Sequence, residues 1–392
     1  MHCRAPWTCP YTCAMTTLRL LPIALLLALT ACATAPVAPV APPAPAPTPP
    51  IPTAALPALQ GVDITTVAES YVSAESPADE LDSLATWPTT DGGTWLIASA
   101  KSTHRLVVFD ADTGMRLRDF GSEGAALGQF DRPNGVAVHG DQLFVVERDN
   151  RRVQVLDLPA LTPVGSFGTD ELRSPYGIWL TETEPGELEA YVTDSFMEGA
   201  KYDVVPAFDQ LDQRVRRYRV QRDQAGALRA SYGGSFGDTS EASALRMVES
   251  IAGDPANDRI LVADEDRRHM STLREYSFSG RYTGRSLPQN AFRAEAEGVA
   301  LWTCGNGGGY WIAVDQLAPL TVFHMFERVS LKAVGSFKGK TTAYTDGVSL
   351  HAASTRAFPN GALFAVHADK AVTAFDLGDI ARTLKLSTDC LD

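Results

Sequence analysis

A chain of 392 residues, 45% of them hydrophobic, has enough apolar material for one large domain or two ordinary ones. Its formal charge of -13 argues against a nucleic-acid partner, because phosphate backbones are held by clustered Lys and Arg. The same acidity is compatible with collecting divalent cations, which net charge alone does not establish.

In chain order, the first feature is MTTLRLLPIALLLALTAC from Met15. One Arg precedes an apolar run too short to span a bilayer, and small residues follow, so residues 15–32 read as a signal peptide. Leu29-Thr30-Ala31-Cys32 matches the lipobox of bacterial lipoproteins. It predicts lipidation of Cys32 and an exported protein, anchored by lipid alone at the outer membrane or in the periplasm. Ordinary signal cleavage that loses Cys32 is the alternative. Residues 1–14 precede that start, so 1–32 as a whole is set aside as leader. Residues 33–58 are almost wholly Ala, Pro, Val and Thr; they cannot bury a core and read as an extended spacer. Outside the leader only Cys304 and Cys390 remain, which predicts either one disulfide or two separate buried thiols.

From residue 60 to 392 the helical period is nearly absent. Runs such as TWLIASA, RLVVFDADTG, GDQLFVVERD, DRILVADED, GYWIAVDQ and GALFAVHAD alternate with turn residues, which indicates an all-β domain. A Gly-Ser-Phe-like closure recurs as RDFGSEG, PVGSFGTD, YGGSFGD and AVGSFKG. A repeat of roughly fifty residues with about four strands each predicts a six-bladed β-propeller. The units run approximately over 82–120, 131–168, 174–238, 245–288, 293–338 and 344–382. The segment 62–74 is expected to give the outer strand of the last blade, and 194–212 to be a loop inserted in the third.

Residues 121–158 resemble an NHL repeat, which supports the propeller and says little about function. Wider stretches resemble the β-propeller (alkaline) phytases. They are Asp82-Ser83-Leu84-Ala85-Thr86-Trp87, Ala98-Ser99-Ala100-Lys101, Asp131-Arg132-Pro133-Asn134-Gly135 and Pro175-Tyr176-Gly177-Ile178. The second half adds ESIAGDPANDRILVADED (249–266), Glu295-Ala296-Glu297-Gly298, Thr345-Asp346-Gly347-Val348 and Phe358-Pro359-Asn360-Gly361. The resemblance implies a 3-phytase-like phosphatase that hydrolyses phytate or another phosphate ester with Ca²⁺, acting as a monomer. It implies calcium ligands at Asp82, Glu249, Glu265, Glu295, Glu297 and Asp346, with Glu249, Glu265 and Glu297 also catalytic. Lys101, Arg132 and Tyr176 would contact substrate phosphate. The chain departs from that family in lacking the paired Asp and Pro near Asp82, in Ser250, and in Thr193-Asp194-Ser195 where the family has a second Lys; Lys201 is the candidate substitute.

The residues alone agree with this chemistry. Ca²⁺ takes six to eight oxygen ligands, and acids at strand ends of successive blades converge on one mouth of a propeller. Without a cation they repel one another and raise each other's pKa. The competing expectations are a non-catalytic NHL-like propeller that binds a protein or glycan at the envelope, and a lactonase-like hydrolase with one central ion. Gly233-Gly234-Ser235-Phe236-Gly237 fits a nucleophile pattern but is one of the blade closures, with no elbow context.

Overall fold

The computed structural model describes residues 63–391. The predicted signal peptide, Cys32 and the 33–58 linker lie outside the described residues. What is described is nearly all β: six small sheets, each built from consecutive strands. Blade 1 runs from Leu81 to Phe120, blade 2 from Pro133 to Phe167 and blade 3 from Pro175 to Phe236. Blade 4 runs from Val248 to Ser286, blade 5 from Ala296 to Lys338 and blade 6 from Val348 to Asp376. The first strands of successive blades touch in a closed circle, with Val348–His351 returning to Leu81–Pro88. This is the expected six-bladed propeller, with the first strand of each blade innermost.

Alternation explains why these segments pair. In Thr94–Ala100 and Gln142–Glu147 side chains on both faces are buried, because each blade is covered by a neighbour on either side. The core is accordingly divided into six apolar clusters, one per blade interface. Trp87, Ile97 and Val108 of blade 1, for example, meet Phe130, Val145 and Leu156 of blade 2.

Closure differs from the expectation in one respect. The 62–74 segment is shared between two blades. Tyr71–Val72 pairs antiparallel with Ala371–Asp376 as the outer strand of blade 6, as predicted. Ile64–Thr66 instead runs parallel to Ala333–Lys338 and becomes a fifth strand of blade 5. Glu69 sits at the crossing, where its carboxylate accepts the backbone N–H groups of Lys340, Thr341 and Thr342. Two short strands thereby cover two edges that would otherwise expose unpaired backbone. After blade 6 comes the helix Leu377–Leu384, N-capped by Asp376. Beyond it Cys390 joins Cys304 of blade 5 in a disulfide.

The lead-in to blade 1 carries a buried ion-pair network. Asp79 is 1% exposed and accepts bonds of 2.7 Å each from Thr103, Arg105 and Arg116. Burial alone would raise its pKa, but these donors outweigh it and hold the carboxyl at about 2. Because the folded value lies below the unfolded one, the stabilisation is present above about pH 4 and is lost as pH falls toward 2. Asp79→Asn should therefore lower stability by about 2 kcal/mol at pH 7 and by almost nothing near pH 2, as read from urea midpoints.

Candidate functional site

The innermost strands share one irregularity that builds the site. In blades 1 to 5 the pairing register breaks just after the first residue: Leu81/Leu84, Pro133/Val136, Pro175/Ile178, Val248/Ile251 and Ala296/Val299. Two residues leave the ladder each time: Asp82-Ser83, Asn134-Gly135, Tyr176-Gly177, Glu249-Ser250 and Glu297-Gly298. In blade 6 Asp346-Gly347 stands in the same place, just ahead of Val348–His351. The second residue is Ser at 83 and 250 and Gly at 135, 177, 298 and 347, and for the glycines the structure gives the reason. A Cβ on Gly135, Gly177 or Gly347 would lie 2.4, 2.3 and 2.3 Å from the carbonyl oxygens of Tyr176, Glu249 and Asp82. On Gly298 it would lie 2.8 Å from that of Asp346, whose oxygen accepts the Gly298 N–H at 2.9 Å. Each of these four glycines thus packs on the next blade's bulge. The six preceding side chains, Asp82, Asn134, Tyr176, Glu249, Glu297 and Asp346, form a ring around one end of the channel.

A second tier comes from the residues that follow the second strand of blades 1 to 5. The N–H groups of Lys101, Arg148, Ser195, Glu265 and Gln316 donate to the carbonyls of Glu80, Arg132, Ser174, Met247 and Glu295, two residues before each ring position. Lys101 and Glu265 join the ring from this tier. Ligating oxygens of Glu249, Glu265 and Glu297 all lie within 4.8 Å of one another. A cavity of about 20 Å³ is lined by Asp82, Tyr176, Glu249, Glu297 and Asp346, enough for one water or one ion.

The electrostatics divide the ring into two halves. Burial, with the mutual repulsion of Glu249, Glu265 and Glu297 and the charges of Asp82 and Asp346, pushes all three glutamates well above the ordinary carboxylate range. Glu265 is 5% exposed, and its Oε1 has no hydrogen-bond partner. On the other side the Lys101 ammonium donates to Asp346 Oδ2 at 3.1 Å and stands 3.9 Å from Asp82. Burial would lower the Lys101 pKa, but Asp82, Asp346 and Asp369 together raise it, so the ammonium stays charged. Asp82 also accepts from Asn134 at 2.9 Å, and Asp346 Oδ1 accepts from Gln316. Burial raises Asp82 to about 6 in spite of Lys101, and with Asp346 it raises Asp369 to about 7.

The structure therefore brings together Asp82, Lys101, Tyr176, Glu249, Glu265, Glu297 and Asp346. Glu295 does not join them. It occupies a position two residues ahead of the ring, and its carboxylate stands 3.5 Å from Arg267 at the surface. It is not part of the Glu249, Glu265 and Glu297 cluster, where the resemblance would have placed it among the metal ligands. Arg132 holds the equivalent position in blade 2, 3.8 Å from Glu80, with its Nε unpartnered and its charge reaching Asp82. Lys101 was expected to face phosphate, but its ammonium is committed to carboxylates. Asn134, Arg148, Gln316 and Asp369 escaped the sequence reading. Aligning Leu-Asp-Ser-Leu, Pro-Asn-Gly-Val, Pro-Tyr-Gly-Ile, Val-Glu-Ser-Ile, Ala-Glu-Gly-Val and Thr-Asp-Gly-Val would have exposed Asn134. Gln316 would have followed as the counterpart of Lys101 and Glu265.

Beside the ring lies a cavity of about 800 Å³, which shares Tyr176 and Glu249 with it. Arg148, Arg151, Arg173 and Lys201 line it, with Asp149 paired to Arg148 at 2.7 Å. The expected insertion in blade 3 supplies one wall through Phe196, Met197, Lys201 and Tyr202. Its root is held by Arg214, fully buried, which donates to the carbonyls of Asp194, Phe196, Leu245 and Arg246. The Arg173 guanidinium lies 3.7 Å over the Phe196 ring and is fixed toward the cavity.

No known family matches this chain, and no curated protein does. Among solved structures it is similar to a chain titled Kuenenia stuttgartiensis hydrazine synthase. The identity is 14%, the match covers 84% of this chain and 83% of that one, and the TM-score is 0.43. A likeness that weak carries no functional argument. The propeller rests on the six sheets themselves.

Proposed function

We propose that this protein is a calcium-dependent phosphomonoesterase acting on inositol phosphates such as phytate, exported and held at the envelope by a lipid on Cys32. The observation that carries the reading is the juxtaposition of the Glu249, Glu265 and Glu297 carboxylates with a cavity lined by four cationic side chains. The donor set fits Ca²⁺. It consists of carboxylate oxygens only, one of them buried without a partner, at separations that a cation with 2.3–2.6 Å bonds can bridge. Ca²⁺ held there supplies Lewis acidity toward a phosphate oxygen and toward water.

The chain's own groups do the rest. Arg148, Arg151, Arg173 and Lys201 bind the non-reacting phosphates, and the Arg forks suit phosphate oxygens in pairs. The charge of Glu249, followed by burial, raises the Tyr176 phenol, which stays protonated and can donate to a phosphate oxygen. Glu249 faces both cavity and glutamate cluster, so a phosphate placed against it has carboxylates on one side and cations on the other. Water would attack phosphorus directly, without a covalent enzyme intermediate; the ester P–O bond breaks, and the proton lost by the water ends on the leaving inositol oxygen, giving phosphate and the free alcohol.

The test is phosphate release from calcium phytate with and without a chelator. Release that stops on chelation and resumes on adding Ca²⁺ supports the reading. Lys201→Ala should raise KM about tenfold with kcat nearly unchanged, since it removes one charge-assisted contact away from the reacting phosphate. No release from any phosphate ester, with a polyanion still binding the cavity, would instead leave a non-catalytic binding propeller.

A further inference from the structure

The two halves of the ring treat their negative charge differently. Asp82 and Asp346 face each other across a half-buried ammonium, 3.9 and 3.1 Å from Lys101 Nζ, and Asp369 adds a third negative charge within its reach. Their remaining oxygens are also served: Asn134 donates to Asp82 Oδ2 and Gln316 to Asp346 Oδ1. This half is a completed salt-bridge network. Glu249, Glu265 and Glu297 bring the same number of carboxylates to one point, within 4.8 Å; the charge of Lys101 reaches Glu249, but among the described residues none of the three is in an ion pair with a Lys or Arg. With the three carboxylates ionised, Glu265 Oε1 is buried in that cluster with no donor to pair it, a costly arrangement unless a cation completes it. The cavity between the halves, about 20 Å³, has room for one ion.

We infer that Lys101 is a built-in cation standing where the Asp82–Asp346–Asp369 half would otherwise take a second metal, so that the chain binds a single Ca²⁺ at Glu249, Glu265 and Glu297. This rests on the proposed calcium reading and narrows it to one ion. The physical basis is that an ammonium and a hard divalent cation satisfy the same carboxylate oxygens, and both cannot occupy one small pocket. Once the ammonium is removed, the aspartate half has lost its nearest cation, with Arg132 acting on Asp82 from farther off, and becomes a hard-cation site in its own right.

Calcium titration by calorimetry on the chelator-stripped protein, with equilibrium dialysis as a count of bound ions, reads the stoichiometry without reference to activity. One ion per wild-type chain is expected. Lys101→Met, which keeps the length of the side chain and removes its charge, should bind two. Lys101→Arg, which keeps the charge, should bind one. Two or more ions in the wild type, or one in a folded Lys101→Met, would overturn the inference while leaving calcium dependence intact. No binding to the wild type would sink the calcium reading itself. Because the wild-type count alone can refute the single-ion proposal, the test survives if Lys101→Met fails to fold.

Discussion

Glu297→Gln should reduce phosphate release from calcium phytate by at least about a hundredfold and weaken Ca²⁺ binding by a similar factor. Glu297 is 5% exposed, lies within the glutamate cluster, and feels both Glu249 and Asp346. The amide keeps the size of the side chain and removes one of three negative charges. The stability of the calcium-free protein should move the other way. A carboxyl whose folded pKa is raised costs folding free energy as pH climbs above its unfolded value. In chelator at pH 7 the wild type bears that cost from all three glutamates, and Glu297→Gln is relieved of one share, so its Tm should rise by roughly 2 °C or more. The gain should shrink as pH falls through about 4.5 and vanish near pH 3, where the glutamates are protonated in both folded and unfolded chains. A Glu297→Gln protein that is more stable without calcium yet fully active with it would show that these carboxylates are only surplus charge in a channel.

The second large effect concerns the ring's backbone. Gly347→Ala would put a methyl 2.3 Å from the carbonyl oxygen of Asp82, and Gly177→Ala the same distance from that of Glu249. Both contacts are with backbone, which cannot swing aside as a side-chain end can. Relief requires neighbouring inner strands to part at the point where they hold the ring. The first change strikes the closure between blades 6 and 1, the second the joint between blades 3 and 4. Each should cost about 2–4 kcal/mol, a loss of several degrees in Tm, and should also weaken calcium binding because Asp82 or Glu249 is displaced. Gly305→Ala is the control: its Cβ would meet only Asp389 O at 3.7 Å, and it should stay within about 0.5 kcal/mol of wild type. Equal effects from all three would mean that glycine flexibility, and not close approach of the blades, sets these positions.

Much of the fold was legible because a blade is a local object. Alternation in TWLIASA or DRILVAD identifies a strand, and the Gly-Ser-Phe closures mark where one blade ends. The predicted units agree with the observed blades to within a few residues. The 62–74 segment was the exception: its strands of three and two residues are too short for alternation to say which blade each one joins. The candidate site was legible by residue type but not by direction. Glu295 and Glu297 are both acidic, two apart, and on a regular strand would point the same way. The bulge after Ala296 breaks that phase, leaving Glu297 in the ring and Glu295 beside Arg267.

The sequence by itself determined the all-β class, the number and span of the repeats, the insertion in blade 3 and the acidic positions at inner-strand starts. These follow from periodicity within about ten residues and from repetition of the pattern. Tertiary structure alone decided which charges meet. Lys101 and Asp346 are 245 residues apart in the chain and hydrogen-bonded in the fold, and Arg148, Arg173 and Lys201 line one cavity from separate segments. The cause is circular closure. It brings the starts of all six inner strands to one end of the channel, so each side chain's environment is set by blades distant in sequence, and no local pattern carries that information.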